Sequence, residues 1–428
     1  LLGVFFTFFF CSFHHSFPSP STFTTTYLHT YFGAILHHNP KSARAMYGRA
    51  RSLDRLGELE RSNSRLEQAI VTYRGVLDLA DEDSNLVPLP LVRMAAENCI
   101  DRFFGKAVRV QQRLLQRFPD DVKLRNKMGV TFLLMNQGSA AKEVFEAVLQ
   151  QWPDDGFAQV HYGFILKNTY KNNSGGALYM LKGIESGAEG TDDGRFYFHL
   201  GDALQREGKV EEAYKIYDRA VAKGLFLGRY QRSLYNVDRL SSRPFWTPEQ
   251  TTYQMFFRKL EENWEAIRDE GAALLTAPPQ DGFRPEAENL RDVGDWKQYD
   301  LFTRGRKITA NCVKAPRTCS LIENFPPAAV CKRGQVKFSV MHPGTHVHAH
   351  TGPTNCRLRA HLGLVVPDGL RLRVGNEFTT WQEGKIFIFD DSWEHEVWHE
   401  GDSPRLILIV DVWHPELTEH ERKTLVPI

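Results

Sequence analysis

At 428 residues the chain is long enough for two or three domains, each with its own core. Lys plus Arg number 53 against 52 for Asp plus Glu, a net charge of +1 with no long run of either sign, which excludes a polyelectrolyte such as nucleic acid as a charge-driven partner. Six cysteines are too few for a disulfide scaffold.

The chain opens on Leu1 with LLGVFFTFFFCSF, an apolar run that lacks a charged leading segment and is too brief to span a bilayer alone. Residues 1–38 are left unassigned: the tail of a membrane anchor, the remnant of a signal peptide and translated non-coding sequence all fit. From 39 to about 275 apolar residues recur at helical spacing. Gly129, Gly163 and Gly201 stand 34 and then 38 residues apart, near the period of a tetratricopeptide repeat. Ala141, Phe145 and Pro153 follow Gly129, and Ala213, Tyr217 and Ala220 follow Gly201, at the offsets where such repeats place packing residues. The middle unit carries NNSGGA where its second helix should begin, which predicts an altered turn. Each helical pair cannot bury its apolar face alone, so a stacked superhelix is expected over 39–275. RPFWTPEQ ends the repeats, FFRKLEENWEAIRDEGAALL reads as one amphipathic helix, and TAPPQDGFRP marks the start of a second domain, 276–428.

That second domain changes texture. GQVKFSVM, CRLRAHLGLVV, LRLRVG, KIFIFDD, HEVWHEG and RLILIVDVWH are short apolar or alternating runs punctuated by Gly, Pro or Asp, as in an antiparallel sandwich or small barrel. Along RLRAHLGL, period two sends Arg357, Arg359 and His361 to one face and Leu358, Ala360, Leu362 and Leu364 to the other. HPGTHVHAHTGPTNCRLRAHLG places five of the 16 histidines within residues 342–363. His395 starts a strand and Arg405 follows ten residues later, an interval that suits a hairpin presenting both to one lumen. Neutral imidazole suits Fe(II), Zn or Ni, and a buried arginine needs a carboxylate or phosphate; no acid precedes Asp411 on its strand, so an anionic ligand is expected. Cys312 and Cys319 bracket CVKAPRTC, which fits either a small closed ring or two unpaired thiols.

With VHYGFILK, GTDDGRFYFHLGDA, QRSLYNV, GDW, CVKAPRTC, MHPGTHV, HTGPTNCRLRAHLGLV, FDDSWEHEVW and VDVWHPEL in order, the chain resembles the aspartyl/asparaginyl β-hydroxylases, oxygenases dependent on Fe(II) and 2-oxoglutarate. The resemblance implies a multidomain α + β protein, with a tetratricopeptide-like superhelix followed by a double-stranded β-helix (jelly-roll) oxygenase domain. It implies His350 and His395 as catalytic metal ligands. A carboxylate would complete the triad two residues after His350, but that place is Gly352, and water takes the third position in this family. It further implies that Ser339 and Arg405 bind the distal carboxylate of 2-oxoglutarate and that Arg359 and His361 hold its chelating end. Glu288, Arg291, Trp296 and Asp391 would lie around the substrate mouth, and Cys312 and Cys319 would form a disulfide.

The implied reaction uses O2 to hydroxylate the β-carbon of Asp or Asn in epidermal-growth-factor-like domains of partner proteins, releasing succinate and CO2. A membrane anchor in the endoplasmic reticulum with the catalytic region in the lumen is expected by the same resemblance. His342 and His346 are expected to serve as hydrogen-bonding turn residues. His348 stands where the family has an aromatic residue; simple exposure is the ordinary expectation for it, while strict alternation would point it the same way as His350, disturbing the metal site or building a second ligand set. Two other readings compete: a cupin-like metalloprotein with another substrate, and a repeat scaffold with an inactive barrel.

Overall fold

The computed structural model describes residues 22–428 except 84–85, 103 and 279–280, so the apolar opening run lies outside the described residues. Its contacts divide the chain into two compact units, one reaching to Asp192 and the other spanning Asp193–Ile428.

The first unit is helical: α1 (Thr22–His38), α2 (Ala43–Leu59), α3 (Asn63–Glu82), α4 (Leu89–Arg102), α5 (Phe104–Arg117), α6 (Val122–Leu134), α7 (Gly138–Gln151), α8 (Gly156–Asn168) and α9 (Asn173–Glu185). Helix α1 occupies the latter half of the segment left unassigned by sequence. Small residues set how closely partners approach. A Cβ on Gly129 would meet the Phe145 ring at 2.5 Å, and one on Gly163 would meet the Met180 backbone nitrogen at 2.6 Å. The altered turn expected from NNSGGA is not found. Lys171 (φ 57°) takes the left-handed conformation that Asn136 (φ 58°) and Arg61 (φ 51°) take in the other hairpins, and Asn172 caps α9 through the Gly175 amide. Of its glycines, Gly175 sits at the cap against Asn172 and Gly176 faces Lys167 of α8, as Gly183 further along α9 faces Val160.

The second unit begins with another such pair, α10 (Gly194–Arg206) and α11 (Val210–Ala222), in which Gly201 faces the Tyr217 ring. The predicted single amphipathic helix is two, α12 (Gln254–Glu262) and α13 (Trp264–Ala273). Asn263 separates them: its side-chain amide donates to the Lys259 carbonyl (2.7 Å), and Arg317 donates to its Oδ1, local bonds that compete with helix continuation. Next come α14 (Thr309–Cys312), α15 (Pro316–Glu323), α16 (Pro326–Ala329) and, at the end, α17 (Glu419–Thr424).

The strands are β1 (Phe245–Trp246), β2 (Arg284–Pro285), β3 (Arg291–Val293), β4 (Trp296–Thr303), β5 (Arg306–Lys307), β6 (Gln335–Met341), β7 (Thr345–His350), β8 (Arg357–Val365), β9 (Leu370–Val374), β10 (Glu377–Thr379), β11 (Ile386–Phe389), β12 (His395–His399) and β13 (Arg405–Trp413). An eight-stranded antiparallel sheet runs β1-β11-β8-β13-β6-β4-β2, with β5 on β4, and a five-stranded one runs β10-β9-β12-β7-β3. The sheets face each other across a lumen whose apolar part includes Met341, Val347, Leu372, Val374, Phe389 and Ile407. This is the double-stranded β-helix. The other face of the large sheet packs Leu358, Ala360, Leu362 and Leu364 on Phe257, Leu260 and Ile267 of α12 and α13, as alternation along RLRAHLGL predicts.

Sequence texture changes near 275, but packing divides the chain at 192. The reason is that 193–275 spends its apolar and polar side chains on the sheets: Phe245 and Trp246 extend the large sheet, α12 and α13 cover its back, and the Leu234 and Tyr235 amides donate to Pro353.

Cys312 and Cys319 are bonded, with Cα atoms 5.7 Å apart, and lie in the apolar cluster behind the large sheet rather than at the lumen. Reduction is therefore expected to lower stability by about 2–3 kcal/mol, the loop-closure effect for so short a ring. Denaturant midpoints with and without a thiol reductant check this; equal midpoints would show that the bridge constrains nothing.

Candidate active site

Residues on β7 and β12 build the centre. His350 pairs with His395 in the β7–β12 register, and their rings approach to 4.1 Å between centroids. Nδ1 of His350 donates to the His348 carbonyl (2.7 Å) and Nδ1 of His395 to the Trp393 carbonyl (2.8 Å). Each ring is thus oriented, and each Nε2 keeps a lone pair. Burial holds both imidazoles below their ordinary pKa, for His395 well below, so both are neutral donors at neutral pH.

His348 does not share their face. Between Val397 and His395 of β12, strand β7 advances from Val347 to His350, three residues against two. This bulge lets Val347 and His350 both face the lumen, while His346 and His348 turn to the outer side of the small sheet, with ring centroids 5.7 Å apart. The predicted disturbance of the histidine pair by His348 is thereby removed.

Gly352 has no room for a third acidic ligand. A Cβ there would lie 2.5 Å from Oδ2 of Asp391, and its amide already donates to the Asp391 carbonyl (2.6 Å). Gly352→Asp is expected to cost about 1–3 kcal/mol by overpacking without tightening metal binding; a melting curve and an iron titration check it, and tighter iron binding would contradict it.

Arg357, Arg359 and His361 share the lumen face of β8, as alternation predicts, but the two arginines are already paired. Arg359 forms a two-pronged pair with Asp411 (2.8 and 3.0 Å) and reaches Asp391 at 3.3 Å; Arg357 binds Asp391 at 2.6 Å. Asp391 is wholly buried, its carboxyl held below the ordinary range because these guanidinium groups outweigh its burial. It therefore faces inward instead of standing at the mouth. His361 accepts from the Trp381 indole (3.3 Å) and is kept neutral by burial and the nearby arginines.

Arg405 differs. It is 2% exposed, donates to Ser339 Oγ (3.1 Å), lies 4.8 Å over the Trp381 ring, and keeps a buried Nε without a partner. No carboxylate pairs with it among the described residues, and burial pushes its guanidinium down to about 9. A cation in this condition calls for an anion. Register Ile407↔Ser339 places this end of the lumen beside β6, and Trp296 also donates to Ser339 (2.9 Å). Glu288 and Arg291 are exposed on the approach to β4, with Trp296 half-buried at its start.

Sequence reasoning missed Lys337 and Gln298. Lys337 is buried on the Ser339 face of β6, donates to Gln298 Oε1 (2.6 Å), and has its ammonium pKa lowered by burial. Period two in VKFSV, with Lys337 two residues before Ser339, carried that signal. His342, on a turn, lies 3.6 Å from Asp295.

A buried knot supports His395 from behind. Glu394 receives Arg232 (2.8 Å), Arg373 (2.8 Å), the Tyr214 hydroxyl (2.7 Å) and Gln205 (3.3 Å), and Gln231 bonds Ser392 (2.8 Å). Burial acts to raise the Glu394 carboxyl, and Arg232 with its other partners outweighs it and holds it ionised. Glu394→Gln is expected to destabilise the fold by about 2–3 kcal/mol, because Arg232 is left buried with its charge unmatched. Urea unfolding of the second unit's tryptophans reads this out, and an unshifted midpoint would refute it.

The family profile described as "Aspartyl/Asparaginyl beta-hydroxylase" matches residues 261–415, and a tetratricopeptide-repeat profile matches 194–222, the span of α10 and α11. The chain is 51% identical over 399 residues to the aspartyl/asparaginyl beta-hydroxylase of Mus musculus and 50% identical over 398 to that of Homo sapiens. These alignments cover 93% of this chain and 53% and 52% of those proteins, so the chain spans about half the length of these relatives. It is also 35% identical over 276 residues to aspartate beta-hydroxylase domain-containing protein 2 of Rattus norvegicus, covering 58% of this chain and 79% of that protein.

Proposed function

The chain belongs to the aspartyl/asparaginyl β-hydroxylase family, and from that membership we propose that it is an Fe(II)- and 2-oxoglutarate-dependent dioxygenase acting on protein side chains. Its substrates are Asp or Asn residues of epidermal-growth-factor-like domains, hydroxylated at the β-carbon with conversion of 2-oxoglutarate and O2 to succinate and CO2. The observation that carries the reading is Arg405: a buried guanidinium without an acid, in the same lumen as two neutral, preoriented imidazoles.

The residues fit both groups. His350 and His395 offer two Nε2 lone pairs of the kind Fe(II) takes, and Arg405 with Ser339 offers a charged fork and a hydroxyl to a distal carboxylate. When bound, iron and the keto acid supply the oxidising power of the reaction. Arg405 and Ser339 fix one end of the cosubstrate, and His361 with Arg359 lines the path to its other end. Arg359 enters that role already charge-balanced by Asp411, so it orients more than it neutralises. Glu288, Arg291 and Trp296 are proposed to receive the substrate backbone and its acidic or amide side chain at the rim.

A lumenal site in the endoplasmic reticulum agrees with the Cys312–Cys319 bridge, which an oxidising compartment preserves. No helix among the described residues is long and apolar enough to cross a membrane. The test incubates the chain with Fe(II), O2, 2-oxoglutarate and an epidermal-growth-factor-like peptide containing Asp or Asn, followed by mass spectrometry. One oxygen atom gained on that side chain, absent without 2-oxoglutarate, supports the proposal; iron binding without succinate or product would leave the inactive scaffold.

A further inference from the structure

A second group of metal donors stands on the outer face of the small sheet. His346 and His348 of β7 and Asp292 of β3 place one ligand atom each within 4.8 Å of one another. Nδ1 of His346 lies 2.9 Å from Oδ2 of Asp292, and Nε2 of His348 lies 3.3 Å from Oδ1. Ligands bonded to a tetrahedral zinc at about 2.0–2.1 Å stand about 3.3 Å apart, so the three donors, gathered within 4.8 Å, need to shift by only about an ångström to close on one ion. We propose that His346, His348 and Asp292 form a second transition-metal site, selective for Zn2+-like ions and separate from the His350–His395 pair.

Three observations carry it beyond a chance meeting of side chains. The first is the backbone. The His348 amide donates to the Leu290 carbonyl (3.0 Å), and β3 shifts register against β7 between Arg291 and Val293, which brings Asp292 beside both rings. The donors therefore sit on paired strands, which hold geometry better than loops do.

The second is the far side of His346. Its Nε2 lies 2.9 Å from Oε1 of Glu396, and Glu396 is itself held by Arg373 at 2.8 Å. A metal-bound imidazole characteristically donates its other N–H to a carboxylate, which fixes the tautomer and raises the basicity of the ligating nitrogen. With a metal taking the place of the present Nδ1–Asp292 hydrogen bond and Nε2–H kept on Glu396, His346 satisfies that arrangement. The third is the bulge in β7, which turns His346 and His348 away from His350 so that the two donor sets do not share a ligand.

Two imidazoles and one carboxylate with a fourth position open to water suit zinc, and suit Co2+ as its spectroscopic substitute. Asp292 and His348 are both partly solvent-accessible, so an ion has a path in.

Equilibrium dialysis of the full chain against Co2+, with the visible absorption of the bound ion recorded, tests the site. Wild type is expected to bind two equivalents and His348→Phe one. In the His395→Ala background, which disables the other pair, one equivalent should remain with a tetrahedral spectrum, and His348→Phe added there should remove it. Glu396→Gln should weaken this equivalent by about tenfold, as loss of an outer partner does. A single equivalent in wild type, unchanged by His348→Phe and lost in His395→Ala, would overturn the proposal. The wild-type count of two rests on metal binding by the His350–His395 pair as well, but the equivalent that survives His395→Ala and is lost on adding His348→Phe tests this site independently of that pair and of turnover.

Discussion

His395→Ala is expected to abolish turnover, by more than about a thousandfold, and to weaken iron binding in parallel. Losing an outer-shell partner of a metal ligand already costs about 10–100-fold, and here one of only two protein ligands disappears. Nothing nearby replaces it. Gly352 holds the third position, and Asp391, the closest carboxylate to that glycine, is committed to Arg357 and Arg359. The measurement is succinate formation against Fe(II) concentration. Undiminished succinate at saturating iron would mean that the histidine pair is not the metal centre.

Arg405→Ala is expected to raise the 2-oxoglutarate concentration for half-maximal rate by about 100- to 1,000-fold, the value of a desolvated charge-assisted contact of about 3–4 kcal/mol. The same variant separates binding from folding. In the ligand-free protein Arg405 carries a buried charge with an unpartnered Nε, so its removal relieves a desolvation penalty, offset by the cavity that alanine leaves. Arg405→Met fills that cavity and should leave the ligand-free protein at least as stable as wild type while the cosubstrate dependence still collapses. A normal 2-oxoglutarate dependence in either variant would reject the anion assignment; a large loss of ligand-free stability in Arg405→Met would show that the arginine also has a structural partner.

How much of this was legible in the sequence depends on what each signal measures. Period two along RLRAHLGL sorted seven residues correctly because β8 keeps its register on β13 from Arg357 to Gly363, shifting only at Leu364, and is apolar on only one face. The same rule failed four residues upstream of Gly352, since the bulge in β7 exists only in relation to β12 and leaves no periodic trace in HVHAH. Residue composition told charged from apolar but not paired from unpaired. For Arg405 the strand without an acid before Asp411 was legible, whereas the pairing of Arg359 with that same Asp411 needed the register Asp411↔Arg359. Glycine spacing recovered the helical pairs because Gly129 and Gly163 each admit a neighbour's bulk, a requirement imposed within a few dozen residues. The limits of the second unit were harder to see, because the contacts that set them join residues 205–232 to 392–394 across the length of the chain.

The Glu394 knot has a consequence for how this protein can be inherited and rearranged. Tetratricopeptide pairs are ordinarily interchangeable bricks, gained and lost between relatives with little effect on the domain beyond them. The pair α10–α11 is not such a brick, for it supplies Gln205 and Tyr214 to the residue next to His395. Shuffling that stops at Asp192 leaves the knot whole, whereas any cut made where the sequence texture changes, near 275, would strand Glu394 without its helical partners Gln205 and Tyr214. The heritable catalytic module therefore begins inside the repeats, and its first two helices travel with the barrel.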